Sequence, residues 1–150
     1  MLPTPSLYEQ DFYAWANEQA SLLRAGKLSS ADIQHIAEEI ESMGRTEKRE
    51  LVSRLTVLLL HLLKWRYQPA RRGNSWKRSV ANSRDQLADH MADNPSLKAR
   101  LPEAIEAAFR YARRDAANET DLDDTSFPLE CPWAFEQIMA ADFWPESDRY

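Results

Sequence analysis

Leu58–Trp76 reads LLLHLLKWRYQPARRGNSW. Five leucines enclose one histidine, and the chain then turns within a few residues into arginines interleaved with Trp and Tyr. Upstream the same pattern continues. Leu51, Leu55, Leu58 and Leu62 recur at helical spacing, so they form one apolar stripe. From Val57 to Leu63 every side of that helix is apolar except at His61. A helix apolar all round belongs in a core. Pro69 ends it, because a residue preceding proline is pushed out of the helical region.

Working outward, the flanking segments read as helices too. Tyr8, Phe12, Trp15 and Leu22 share a helical face, with Gly26 placed as a C-terminal stop. Ser29 or Ser30 is expected to cap a second helix with Ile33, Ile36, Ala37 and Ile40 inward. Gly44 is expected to interrupt it, and Thr46 to cap the third, leucine-rich helix. Beyond the proline, Asn74 or Ser75 opens a fourth helix with Trp76, Val80, Leu87 and Met91 inward. Asn94-Pro95 stops it, and Pro102 begins a long helix carrying Ile105, Phe109 and Ala112. After the acidic, turn-rich stretch Asn118–Glu130, Pro132 opens a last short helix. The expected architecture is an all-α, single-domain bundle over residues 1–150, of five to six helices around a central buried third helix. Its ends at 1–5 and 146–150 should be frayed.

Composition agrees with that class. The chain is 43% hydrophobic and 29% charged, with only three glycines, too few for the turns of a many-stranded sheet. At 150 residues it can bury a substantial single core. Cys131 is alone, so no intramolecular disulfide can form, and no zinc-ligand spacing occurs. The opening MLPTPSLYEQDFYAW lacks the basic and apolar regions of a signal peptide. Leu55–Leu63 falls short of the ~20 residues that cross a bilayer. The expectation is a cytoplasmic protein with no membrane contact.

The formal net charge of −5 excludes a generically basic nucleic-acid binder, yet the charge is uneven. Between Leu51 and Arg84 lie eight cations and no acid, leaving −13 for the remainder. Arg66, Arg71, Arg72, Trp76, Lys77 and Arg78 are the candidate anion- or partner-binding residues. Lys64 and Arg66 fall in the last turn of a helix, where cations complement the dipole, but Lys77 and Arg78 follow a helix start, where it opposes them. Guanidinium planes beside Trp can hold phosphate or carboxylate or stack on bases. The competing reading pairs these arginines with the acids of Glu119–Asp124 and buries Trp65 and Trp76.

Other groups are weaker candidates. His61 is the candidate buried polar residue. Its ring N–H needs a partner, and a helical hairpin about Gly44 would set it opposite Lys27, leaving another helix or a backbone carbonyl to supply one. The same hairpin would place Glu39 near Arg49 and Glu38 near Glu50 or Arg54, as surface ion pairs. His35 with Glu38 or Glu39, and His90 with Asp93, have helical spacing for shared metal ligation, but neither pair belongs to an inward-facing four-ligand set. No metal and no cofactor are expected. Cys131 reads as a small buried residue, and no nucleophile motif or phosphate loop is present.

Three blocks, EEIESMG (Glu38–Gly44), LLLHLLKWRYQPARRGNSW (Leu58–Trp76) and CPWAFEQIMAADFWPE (Cys131–Glu146), resemble the signatures of a bacterial family known as domain of unknown function number 29. The similarity spans nearly all of Tyr8–Glu146. It implies a helical fold and a bacterial, cytoplasmic protein, and it transfers no reaction, cofactor or functional residue. With no catalytic set in view, the leading expectation is a non-catalytic protein-interaction or regulatory module. Binding of nucleic acid or an anionic ligand through the Arg/Trp segment is the alternative, and an enzyme using His61 comes third. A protein partner is favoured over nucleic acid, and a second copy of the chain is an admissible partner.

Overall fold

The computed structural model describes residues 6–146, so the ends expected to fray lie outside it except for Glu146. Among the described residues there are six α-helices, joined by 3-10 turns, and no strand, as the periodicity predicts. They are α1 (Leu7–Gln10), α2 (Phe12–Arg24), α3 (Ile33–Tyr67), α4 (Asn74–Asp93), α5 (Leu101–Thr120) and α6 (Phe135–Met139). The fold divides into two compact units, Met1–Thr46 and Glu47–Tyr150, and α3 contributes to both.

In the first unit the expected opening helix is split at Asp11, whose Oδ1 accepts the Ala14 N–H at 3.0 Å and caps α2. The stop at Gly26 is as read. Its φ is +72°, its N–H donates to the Leu23 carbonyl, and the Lys27 N–H donates to the Leu22 carbonyl at 2.9 Å. That pair of bonds closes a Schellman motif, which needs a left-handed residue at the glycine position. The cap of α3 is not serine. Ser29 and Ser30 lie in a 3-10 turn, and Asp32 holds the helix start, its carbonyl accepting the Ile36 N–H at 3.0 Å.

The largest departure is at Gly44, where no break occurs. Expected helices two and three are one helix, α3, of 35 residues. Thr46 does not cap anything; its Oγ1 donates to the Ser42 carbonyl one turn back, at 3.0 Å. A mid-helix glycine costs only about 1 kcal/mol relative to alanine. Ending a helix there would leave several backbone groups without partners on each side. With no proline between Ile33 and Tyr67, continuation wins. The hairpin pairings therefore do not exist, and Glu50 instead pairs within the helix with Arg54, Nη2 to Oε1 at 2.6 Å.

The second unit is built on the leucine-rich half of α3. Leu51, Leu55, Leu58, Leu59, Leu62, Leu63 and Trp65 are buried. The six leucines share a core with Val80 and Leu87 of α4, Phe109 of α5, Phe127 and Ile138. On α5, Ala104, Ala108, Ala112 and Ala116 recur every fourth residue and are all buried. Such small side chains let packed helices approach closely. Arg84 ties α4 to α6 and the chain that follows it. Its guanidinium donates to the carbonyls of Ile138 (2.8 Å) and Phe143 (2.7 Å) and lies over the Trp144 ring. Burial pulls its pKa below the usual guanidinium value.

Candidate functional site

The basic segment does not act as one group. Trp65 is in the core, its ring tilted against Trp144 with centroids 4.3 Å apart. Arg72 folds back over Trp65 and donates from Nε to the Trp65 carbonyl at 2.7 Å, closing the end of α3. Trp76 is half-buried beneath the Lys64 ammonium, which also reaches Glu119 at 3.9 Å. Lys64, which is not itself one of the candidates, thereby meets the acidic stretch. Arg66 is half-buried, with its guanidinium over the neighbouring Tyr67 ring. Arg71, Lys77 and Arg78 are exposed, and no ion pair joins them to another described residue. His61 is half-buried. Its Nδ1 donates to the Val57 carbonyl of the preceding turn at 2.8 Å, one of the two partner types expected. Cys131 is half-buried, and burial pushes its thiol pKa up, away from thiolate chemistry.

Sequence patterning missed a surface on the first unit. Residues Ile33, Ile36, Ile40 and Met43 recur at spacings of three and four along α3. That is an apolar stripe of the kind that normally faces a neighbour. The isoleucines were expected inward. Instead Ile33 is 53%, Ile40 63% and Met43 67% exposed. Ile36, Ile40 and Met43 border a groove of about 420 Å³ with Phe12, Trp15 and Leu23 of α2. The groove has a fixed floor. Buried Trp15 donates from Nε1 to Asp32 Oδ2 at 3.1 Å, and buried Gln19 accepts the Asp32 N–H at 2.7 Å. His35 pairs with Asp32, Nδ1 to Oδ2 at 2.7 Å, rather than with Glu38 or Glu39. Tyr8 stacks on His35 and donates its hydroxyl to Glu39; that bond, above all, pushes the Tyr8 pKa up to about 12.

A second missed arrangement lies in the second unit. Glu47, Glu50 and Arg54 of α3 face Gln86, Asp89, His90 and Asp93 of α4, with Asn94 just beyond it, across an open cleft of about 470 Å³. His90 is buried. Its Nε2 donates to the Glu47 backbone carbonyl at 2.9 Å, and its Nδ1 faces Glu47 Oε2 at 3.7 Å and Glu50 Oε2 at 3.8 Å. Arg54 grips the other Glu50 oxygen from Nη2 and Nε, at 2.6 and 3.0 Å, which holds that carboxyl below its usual pKa. Helical spacing pointed from His90 to Asp93. Its facing carboxylates lie 43 and 40 residues earlier in the chain, at Glu47 and Glu50, beyond any local pattern.

These elements define an all-α protein built on one long helix. The chain matches the family described as Domain of unknown function DUF29 over residues 7–144, nearly its whole length, and belongs to that family, as its three sequence blocks implied. No curated protein and no solved structure matches it. No helix among the described residues is long and apolar enough to cross a membrane.

Proposed function

We propose that this protein is a protein-interaction module whose first unit takes an amphipathic helix of a partner in the α2–α3 groove. The single observation that supports this is the pair of uncovered side chains Ile40 and Met43 sharing a groove with the exposed ring of Phe12. A helix that presents an apolar stripe to water loses roughly 25 cal/mol for each Å² a partner could cover. Grooves of this kind take helices through side chains at i, i+3, i+4 and i+7. Charge selects the partner's chemistry. The first unit carries seven carboxylates against three cations, and Glu38, Glu39 and Glu41 lie among the stripe residues. A partner helix with Lys or Arg beside its leucines is attracted; an acidic one, or the same face of a second copy, is repelled.

The test uses a fluorescent synthetic helix of leucine and lysine, about 18 residues long so that it holds helical structure, and its leucine–glutamate counterpart. The lysine peptide binds the full chain saturably, the glutamate peptide does not, and Ile40→Glu weakens binding by about tenfold, roughly 1.4 kcal/mol. Equal binding of both peptides, or no effect of Ile40→Glu, rejects the reading. So does a free chain that sediments as a dimer and becomes monomeric on Ile40→Glu, because the occupant would then be a second copy.

A second reading rests on Arg71, Lys77 and Arg78. They are exposed, join no described carboxylate, and the latter two sit where the α4 dipole disfavours cations by about 0.3–1 kcal/mol. Such a patch suits a phosphate-bearing ligand. Titration with single-stranded DNA or RNA at low salt should show binding that weakens steeply as salt is added and is lost in the Arg71→Glu, Arg78→Glu double variant. Absence of low-salt binding removes this reading.

A further inference from the structure

His90 differs from the other paired histidine in a way that singles out its surroundings. His35 closes on one carboxylate oxygen at 2.7 Å, a normal charge-assisted hydrogen bond. His90 stands almost equidistant from two carboxylate oxygens, at 3.7 and 3.8 Å, both beyond hydrogen-bond reach. Its Nε2 faces a backbone carbonyl, which can only accept, so the proton is on Nε2. In the neutral ring the Nδ1 lone pair then points at the carboxylates. The ring is 7% exposed, so water has little access to it from elsewhere.

We propose that Glu47, Glu50 and His90 form a binding site for a divalent transition-metal ion of the zinc or manganese type. One oxygen of each carboxylate and Nδ1 of the imidazole all lie within 4.8 Å of one another. Ligands each about 2.0–2.2 Å from a zinc-sized ion stand roughly 3–3.5 Å apart. Small side-chain rotations of the two half-buried glutamates close that difference. The supporting contacts are those of a ligand set. A metal-bound histidine donates its other ring N–H to a carbonyl or carboxylate, as His90 does to Glu47, and a ligating carboxylate is held by a further hydrogen bond, as Arg54 holds Glu50.

Charge favours a cation despite Arg54. With His90 neutral, the cleft residues carry four carboxylates, Glu47, Glu50, Asp89 and Asp93, against one guanidinium. An imidazole among the donors points to a first-row transition ion rather than calcium or magnesium, which take oxygen ligands. Three protein ligands on the wall of an open cleft leave room for water to complete the sphere.

The experiment titrates the chelator-treated full chain with zinc chloride and with manganese chloride by calorimetry, and follows thermal unfolding in parallel. One equivalent binds, zinc more tightly than manganese, and the unfolding midpoint rises. Glu47→Gln and Glu50→Gln each weaken binding at least tenfold, while Glu103→Gln, outside the cleft, leaves it unchanged. Both glutamates are part-exposed, so these variants fold even where His90→Gln does not. Cobalt(II) gives a visible ligand-field band in the wild type that both variants lose. No binding of either ion at millimolar concentration overturns the proposal, and so does binding that Glu47→Gln and Glu50→Gln leave intact.

Discussion

Asp32 does more than any other single residue in the first unit. It starts α3, anchors the Trp15 indole and holds the His35 imidazole. The hydrogen bond to Asp32 raises the His35 pKa above its ordinary 6.5, partly offset by burial, and the same bond lowers Asp32 below its ordinary 3.8. Protonated His35 thus stabilises the unit fully below the unfolded imidazole value, and the contribution disappears as pH rises through the raised folded value. Ionised Asp32 contributes above its unfolded value and stops contributing as pH falls through the lowered one. The pair therefore contributes most to stability between about pH 4 and 6.5. Thermal unfolding followed by circular dichroism should show the midpoint falling from about pH 6 to 8, a fall that His35→Gln flattens. Equal falls in both proteins would show that the pair does not set the pH dependence.

Two glycines separate what is legible in the sequence at the level of an element from what is not. Gly26 and Gly44 look alike as helix stops, but only Gly26 has a left-handed backbone, with φ of +72°. Gly44 is an exposed helical residue with open space where a Cβ would stand. Gly44→Ala should stabilise the protein by about 0.5–1 kcal/mol, and Gly26→Ala should destabilise it by about 1–2 kcal/mol, both read from denaturant midpoints. A destabilising Gly44→Ala would contradict an unbroken α3. The leucine stripe from Leu51 to Leu62 was legible because propensity, period and the Pro69 stop all agree there. The stripe Ile33–Met43 had an equally clear period, but periodicity marks an apolar face without saying whether anything covers it. The cleft was illegible for another reason: Glu47 and Glu50 meet His90 only through the packing of α3 against α4.

Across the whole molecule, charge is partitioned. Within the net −5, the first unit carries −4, and in the second a cation-only stretch from Leu51 to Arg84 is outweighed by the acids that follow it. That stretch is mostly structural: Arg84 joins α4 to three carbonyls, Arg72 closes α3, and Arg54 orients Glu50. What remains of that stretch at the surface with no described partner is Arg71, Lys77 and Arg78, while the first unit presents an apolar, acid-flanked groove. The groove is the larger uncovered feature, and the account of this protein as an interaction module stands on it. Its most direct test is backbone amide chemical-shift mapping of the full chain while the leucine–lysine helix is added. The shifts are expected to concentrate on Phe12–Leu23 and Ile33–Met43 and to vanish in Ile40→Glu. Shifts confined to residues beyond Glu47, or none at saturating peptide, would contradict it.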